Sequence, residues 1–150
     1  MSGFLFDTSI LSVFGPARPD AAPVEAKLAQ WVRNNTNRLY VPVTAILEIE
    51  RGASKLDRAG GHARAQEIMR WLEQMIEGFG ERVLAVDAAV ARAAGSIEDA
   101  ANAKGRNPGL ADCIIAAIGK THDLILLTAN TRHFEPLPVR FINPLIDPLP

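Results

Sequence analysis

Cysteine is almost absent from this sequence. The chain of 150 residues contains one cysteine, Cys113, so no disulfide can form within it. The paired Cys and His spacings of common zinc sites are absent as well. Cys113 lies inside an apolar run, which favours a packed core thiol over a reactive nucleophile. With 48% hydrophobic residues, a chain of this length can bury a core without such staples.

Long apolar stretches and strong net charge are also lacking. No segment is long and apolar enough to span a bilayer, and the N-terminus lacks the features of a signal peptide. We therefore expect a cytoplasmic protein with no membrane partner. The formal net charge is −1, whereas nucleic-acid binders usually carry a basic footprint. Any nucleic acid must then be held by a local patch or by metal ions.

Hydrophobic periodicity predicts strands that alternate with helices. Helical stripes of apolar residues separate the strand candidates, a turn-rich segment covers residues 15–23, and Thr44 and Asp87 are predicted N-caps. The alternation predicts an α/β sandwich around a parallel sheet, in one domain over residues 1–150. The predicted strands lie at residues 4–6, 39–41, 83–86, 124–127 and, as an edge strand, 139–142.

Three acidic residues accompany these apolar elements. Asp7 directly follows the first strand, and Asp112 lies in the first turn of an almost wholly apolar helix. Glu48 is followed one helical turn later by Gly52, which leaves open space beside its carboxylate. Acids on apolar elements are costly to bury unless they are paired or bind a metal. Their combination suits a hard divalent cation such as Mg²⁺.

Asn130 is a further candidate for the same site. It lies just past the predicted strand at 124–127, and Asp7 lies just past the strand at 4–6. In an open α/β sheet the functional crevice lies at the carboxyl ends of the strands, so both residues can share one edge.

Each acid also has a structural interpretation. Asp7 can cap a helix that begins near Thr8, and Asp112 can favour its helix N-terminus through the macrodipole. Glu48 can be a solvated surface charge. Taken singly, none of the three acids requires a functional role.

Other chemistries and acid-based folds fit less well. The chain has no GxSxG motif, P-loop or GxGxxG fingerprint. A phosphoacceptor receiver is disfavoured because Asp7 follows the first strand and not the third, and because no Lys follows the final strand. A phosphatase with an Asp-x-Asp start is excluded because Ser9 occupies the place of the second acid.

Five segments in this order and spacing resemble PIN-domain ribonucleases, in particular the VapC/FitB-like toxins of type II toxin–antitoxin systems. The resemblance covers nearly the whole chain and implies a PIN-like α/β/α sandwich with a central, mostly parallel sheet of about five short strands. The matching segments are Phe4-Leu5-Phe6-Asp7-Thr8-Ser9, Val43-Thr44-Ala45-Ile46-Leu47-Glu48-Ile49-Glu50-Arg51-Gly52, Ala111-Asp112-Cys113-Ile114-Ile115-Ala116-Ala117, Leu127-Thr128-Ala129-Asn130-Thr131-Arg132-His133-Phe134 and Ile142-Asn143-Pro144.

The resemblance implies that Asp7, Glu48 and Asp112 are catalytic ligands of Mg²⁺ or Mn²⁺. Glu50, two residues after Glu48, would face elsewhere on the helix and is the weaker candidate. Many PIN domains carry a fourth acid where this chain has Asn130, which is then expected to bind metal weakly or to orient a water.

His133 departs from the pattern implied by the resemblance. It stands where an acid is frequent in the family, and this puts a second metal site in question. The imidazole either contacts a phosphate or is a plain surface side chain.

The implied reaction is metal-dependent endonucleolytic hydrolysis of RNA phosphodiester bonds. Thr8 or Ser9 would hydrogen-bond a phosphate oxygen at the start of a helix. Arg51, Arg106 and Arg132 are candidates for contacts with the RNA backbone, although a solvated surface position is the favoured interpretation of any one of them.

The resemblance also implies protein partners. A cognate antitoxin would cover the acidic pocket with its C-terminal segment, along a groove whose wall comes from residues 44–78. The chain is further expected to form a homodimer or a larger toxin–antitoxin hetero-oligomer. The alternative function is a catalytically silent PIN fold that acts as a binding or regulatory module.

Overall fold

A parallel sheet organises the molecule in the computed structural model, which describes residues 3–17 and 22–150. Residues 18–21 of the predicted turn-rich segment lie outside the described residues. Within the described part, every strand pairs in parallel, and the order across the sheet is β3-β2-β1-β4-β5. The strands are β1 (Phe4–Phe6), β2 (Leu39–Pro42), β3 (Val83–Leu84), β4 (Ile125–Leu127) and β5 (Phe141–Ile142). All five predicted strands are present and the sheet is wholly parallel, but β3 and β5 are shorter than the predicted 83–86 and 139–142, and β2 extends through Pro42.

Helices connect the strands at the places where the sequence shows helical periodicity. None of the helices in the described ranges has the length and apolarity needed to cross a membrane. The helices are α1 (Thr8–Leu11), α2 (Ala26–Asn34), α3 (Val43–Arg58), α4 (His62–Phe79), α5 (Ala88–Ala103), α6 (Leu110–Thr121) and α7 (Thr131–Phe134).

One of the two predicted helix caps is confirmed and the other is wrong. The Asp87 carboxylate accepts a hydrogen bond from the Val90 N–H at 2.9 Å, and α5 begins directly after Asp87. In α3, Pro42 occupies the N-cap position and the helix begins at Val43. The extended backbone of Pro42 ends β2 and starts the helix two residues earlier than predicted, so Thr44 lies inside the first turn with its side chain buried.

The sheet lies between two hydrophobic layers. Phe4 and Phe6 pack against α1–α4 on one side, whereas Leu5 packs against α5 and α6 on the other. This alternation follows from the two-residue period of a β-strand. Full burial of a Phe side chain contributes about 1.5–3 kcal/mol, so β1 anchors both layers. The arrangement confirms the α/β/α sandwich.

The strand order places a switch point beside β1. The chain runs outward from β1 to β2 and β3, and then returns to the other side of β1 to form β4 and β5. The Asp7 N–H donates to the Leu127 carbonyl at 2.9 Å, so the segments that follow β1 and β4 leave the sheet side by side. In open α/β sheets, ligands bind in the crevice at such a point.

Candidate functional site

Asp7 is the most tightly held acid at the carboxyl edge of the sheet. Its residue is 5% exposed and forms the N-cap of α1. Oδ1 accepts the Thr8 N–H at 2.9 Å, and Oδ2 accepts the hydroxyl groups of Ser9 at 2.8 Å and Thr128 at 2.7 Å. The helix-cap interpretation of Asp7 is therefore correct, and the same carboxylate faces the crevice between β1 and β4.

Two hydroxyl groups extend this hydrogen-bond network to the loop after β4. Ser9 Oγ accepts the Ala129 N–H at 3.0 Å, and Thr128 Oγ1 accepts the Asn130 N–H at 2.9 Å. Asn130 is therefore connected to Asp7 through its backbone, and its exposed side chain makes no capping hydrogen bond to α7. Asp7 and Asn130 lie at one edge of the sheet, as their positions after adjacent strands indicate.

Asp112 lies in the first turn of α6 and is electrostatically coupled to the other two acids. Burial raises the pKa of its carboxyl above the ordinary aspartate value. His133 opposes this shift, while repulsion from Asp7 and Glu48 adds to it. Asp112 in α6 therefore lies close enough to Asp7, which follows β1, and to Glu48 in α3 to be repelled by both.

His133 lies beside Asp112. Its Nδ1 lies 3.4 Å from Asp112 Oδ2, and its side chain is 60% exposed. Where an acid is frequent in the family, this chain therefore has an imidazole, which lies beside the carboxyl of Asp112, whose pKa is raised.

A large groove runs along the helices and includes Glu48 in its lining, but not Asp7 or Asp112. It encloses about 1260 Å³, and Thr8, Ser9 and Glu48 lie at its acidic end. Both α3 and α4 line it, as expected for a wall within residues 44–78. Trp71 packs against the core and also lines the groove.

The space beside Glu48 is open. An added Cβ at Gly52 would meet no atom within 4 Å, which agrees with the room expected one turn after Glu48. Glu48 is half-buried and lines the groove, whereas Glu50 is exposed. Glu48 therefore faces the groove and Glu50 does not, as expected for residues two positions apart on a helix.

The donor set fits a cation that keeps much of its water. In the described ranges, no three His, Cys, Asp or Glu side chains form a ready-made metal-binding group. Mg²⁺, however, typically uses one or two carboxylates and retains several waters. A carboxylate has about four lone-pair sites, and the hydrogen bonds to Asp7 occupy one site on Oδ1 and both on Oδ2. Oδ1 therefore has a lone pair left for a metal.

Some of the predicted substrate-binding residues lie near the acids, whereas others remain separate from them. Thr8 and Ser9 lie beside Asp7, but the Ser9 hydroxyl proton is already donated to the carboxylate. The arginines predicted to contact RNA are exposed and do not contribute to the hydrogen-bond network around Asp7; they are Arg51, Arg106 and Arg132.

Thr128 was missed by the sequence interpretation. Its residue is fully buried, and its hydroxyl makes the shortest hydrogen bond to Asp7. The available signal was a threonine directly after an apolar strand and two residues before Asn130. A hydrogen bond from Thr128 to Asp7 can be inferred from this signal only when β4 is known to lie beside β1.

The family model for the PIN domain matches residues 4–137 of this chain. A search of the curated proteins found no significant match. Among solved structures, the chain is similar to that of FitAcB from Neisseria gonorrhoeae, with 28% identity and a TM-score of 0.80 over 95% of this chain and 99% of that chain.

Two further structures share the fold. One is DNA-bound VapBC from Salmonella typhimurium, with 24% identity, a TM-score of 0.69, and coverage of 95% of this chain and 98% of that chain. The other is VapBC-5 from Mycobacterium tuberculosis, a member of the VapBC family of toxin–antitoxin systems, with 18% identity, a TM-score of 0.63 and 95% and 99% coverage. With the match of the family model over nearly its whole length, the chain belongs to the PIN domain family.

Proposed function

We propose that this chain is a metal-dependent endoribonuclease toxin that a cognate antitoxin neutralises. The observation that carries the proposal is the convergence of Asp7, Glu48 and Asp112, from three separate elements, at the switch point of a parallel sheet. The repulsion of Asp112 by Asp7 and Glu48 is a cost to the fold that a bound cation would offset. Perturbed carboxyls in a crevice are typical of functional sites.

Asp7 and Asp112 are the residues proposed to hold Mg²⁺ or Mn²⁺, with Glu48 completing the site. When bound, such a cation lowers the pKa of water and stabilises charge on a scissile phosphate. The Asp7 carboxylate presents Oδ1 in a fixed orientation because Oδ2 is already saturated by two hydroxyls. The Glu48 carboxylate lies beside open space and is suited to orient the attacking water and to accept its proton.

RNA is the proposed substrate, and its backbone would approach from the exposed side of the site. His133 lies at the solvent edge of Asp112, where an imidazole can contact a phosphate once Asp112 is neutralised by a cation. Arg51, Arg106 and Arg132 are exposed and are proposed to contact the RNA backbone at a greater distance from the acids. Because the chain has a formal net charge of −1, these local cations would supply the attraction.

An antitoxin is the proposed protein partner, and the groove along α3 and α4 is its proposed binding site. The similarity to FitAcB and to a member of a toxin–antitoxin family supports a partner of this kind. The groove is apolar along Ile49, Ile68 and Trp71 and reaches Glu48, Thr8 and Ser9, so a segment lying in it would also cover Glu48. Co-expression with the small protein encoded next to this chain should abolish toxicity and give a complex that co-purifies.

A homodimer in the cytoplasm is the proposed state of the isolated toxin, and the whole chain is proposed to act as one domain. Twofold dimers are the commonest oligomers. Pairing two protomers would bring two sets of the exposed arginines toward one groove. Light scattering at several salt concentrations should give a mass near that of two chains, whereas an active protein of one chain's mass would argue against a dimer.

The activity can be tested with purified protein and total RNA. We expect endonucleolytic fragments with Mg²⁺ or Mn²⁺, and no cleavage when EDTA is in excess. Undiminished cleavage in EDTA would overturn the proposed chemistry. A protein that binds its antitoxin but cuts no RNA under any of these conditions would instead be a catalytically silent PIN fold.

A further inference from the structure

Two hydroxyl groups link the Asp7 carboxylate to the loop that follows β4. Thr128 Oγ1 donates to Asp7 Oδ2 at 2.7 Å and accepts the Asn130 N–H at 2.9 Å. Ser9 Oγ donates to the same carboxylate oxygen at 2.8 Å and accepts the Ala129 N–H at 3.0 Å. Two consecutive amides of the loop are therefore connected, through two parallel hydroxyl bridges, to one oxygen of one acid.

The direction of these hydrogen bonds follows from the chemistry of the groups. A backbone N–H can only donate, so each hydroxyl must be its acceptor. A hydroxyl has one proton, and each of these two protons then points to Asp7 Oδ2. Neither Ser9 nor Thr128 has a second proton to donate to a phosphate.

The bridges fix the orientation of the carboxylate before any ligand arrives. Rotation of the Asp7 carboxylate would break both hydroxyl contacts at Oδ2 and the contact between Oδ1 and the Thr8 N–H. Thr128 is fully buried, so water cannot replace its hydroxyl without rearrangement of the strand end. The oxygen with spare coordinating capacity is therefore always Oδ1.

We propose that Thr128 and Ser9 are positioning residues that orient Asp7 for a divalent cation and hold the Asn130 loop in register with it. This inference rests on the proposed function, and it replaces the expectation that Ser9 binds a phosphate. Groups that orient a metal ligand typically change metal affinity or activity by about 10- to 100-fold when they are removed.

The alternative is that the two hydroxyls only stabilise the fold. Loss of Thr128 would then lower the melting temperature and leave the metal affinity of the folded protein unchanged. A positioning role predicts that the metal affinity falls in protein that is still folded, and that a variant which keeps the hydroxyl recovers it.

The test is a calorimetric titration of metal-free protein with Mn²⁺. We expect Thr128→Val to weaken Mn²⁺ binding by about 10- to 100-fold and Thr128→Ser to bind close to wild type, because serine keeps the donor. The matched control is Thr44→Val, since Thr44 is also buried but its hydroxyl has no partner within the described residues. This control should bind Mn²⁺ as wild type does.

Ser9→Ala separates positioning from phosphate binding. Loss of a positioning group should weaken Mn²⁺ binding and lower kcat at limiting metal, whereas loss of a phosphate contact should raise KM for RNA with kcat unchanged. This variant also serves if Thr128→Val does not fold, as judged by circular dichroism.

The outcomes distinguish the inference from the proposed function. Wild-type protein that binds no Mn²⁺ would overturn both. If wild type binds Mn²⁺ and folded Thr128→Val binds it equally well, the positioning role alone is overturned. If Thr128→Val does not fold, equal Mn²⁺ binding by Ser9→Ala overturns the positioning role in the same way. A rise in KM as the sole effect of Ser9→Ala would return Ser9 to the substrate-binding residues.

Discussion

Asp7 and Asp112 carry the same carboxyl group, but they differ in burial and in the hydrogen bonds that they accept. Asp7 is 5% exposed and accepts three hydrogen bonds of 2.7–2.9 Å. The Asp112 side chain is 25% exposed, and its contact with His133, at 3.4 Å, is longer than a good hydrogen bond. Burial and repulsion raise the pKa of Asp112. Asp7 is thus held in place by hydrogen bonds without any ligand, whereas the ionised form of Asp112 is destabilised by burial and by repulsion.

This difference between Asp7 and Asp112 indicates a different role for each carboxylate in binding a cation. Under the proposed function, the hydrogen bonds to Asp7 would present an oriented oxygen to a cation. Asp112, which its neighbours destabilise, would then gain most from a cation that neutralises the repulsion. Carboxyls perturbed in this way are more frequent at functional sites than elsewhere on a protein.

Asp7→Asn should have the largest effect on activity. The amide keeps the shape of the side chain, but it removes the negative charge, and its NH₂ group can only donate. Since Ser9 and Thr128 both donate to Oδ2, an amide nitrogen at that position would face two donors. We expect the rate of RNA cleavage to fall by more than about 100-fold, beyond the range for residues that act through a ligand.

The measurement is the initial rate of RNA cleavage with Mn²⁺, with circular dichroism to verify that the variant is folded. A folded Asp7→Asn protein that cuts RNA at the wild-type rate would remove Asp7 from the catalytic site.

Asp112→Asn should also abolish activity, but its effect on stability should be favourable. The pKa of Asp112 is raised in the folded protein, so stability due to this group is present at low pH and is lost as the pH rises through that pKa. At neutral pH the ionised carboxylate is therefore destabilising, and a neutral amide relieves the repulsion. We expect a melting temperature about 1–3 °C higher in EDTA, a modest gain because solvent screens a partly exposed group.

Thermal unfolding in EDTA and in Mn²⁺ tests this prediction. Wild type should gain stability from Mn²⁺, whereas Asp112→Asn should not. A lower melting temperature for Asp112→Asn in EDTA would mean that the His133 contact outweighs the repulsion.

Glu48→Gln and Glu50→Gln form a matched pair on α3. Glu48 lines the groove beside the other acids, and Glu50 is exposed. We expect Glu48→Gln to lower the cleavage rate by about 10²–10⁴-fold, as is typical for loss of a general base, and Glu50→Gln to leave it nearly unchanged. A severe effect of Glu50→Gln in the same rate assay would mean that the wrong face of α3 has been assigned to the site.

Cys113 should show the smallest effect. It follows Asp112 in α6 but is completely buried, and burial raises the pKa of its thiol, with further contributions from Glu98 and Asp112. We expect no reaction with a thiol reagent such as DTNB in the native state, and one equivalent to react after unfolding in guanidinium. Rapid native labelling would contradict the assignment of this helix face to the core.

Most of the fold could be predicted because its signals are local. The apolar runs that became β1, β2 and β4 are short and bounded by polar or turn residues, and Asp87 stands directly before a helical stripe. Thr44 was assigned wrongly as an N-cap because its residue type favours that position. The local geometry of Pro42, at the end of β2, decided the helix start instead.

The three acids could be proposed as a site from sequence, but the hydroxyl groups that hydrogen-bond to Asp7 could not. The hydrogen bond between Thr128 and Asp7 joins residues separated by 121 positions, and it depends on β4 pairing with β1. The order of strands in a sheet is not determined by local periodicity. The effect of His133 on Asp112 likewise arises from how α7 and α6 pack together.

Titration of metal-free protein with Mn²⁺, for wild type and Asp7→Asn in parallel, tests the central claim most directly. We propose that Asp7, Glu48 and Asp112 form one cation site in which Asp7 is the preorganised ligand. Saturable heat of binding for wild type, lost in folded Asp7→Asn, is the predicted result. Absence of saturable binding by wild type, or equal binding by both proteins, would contradict it.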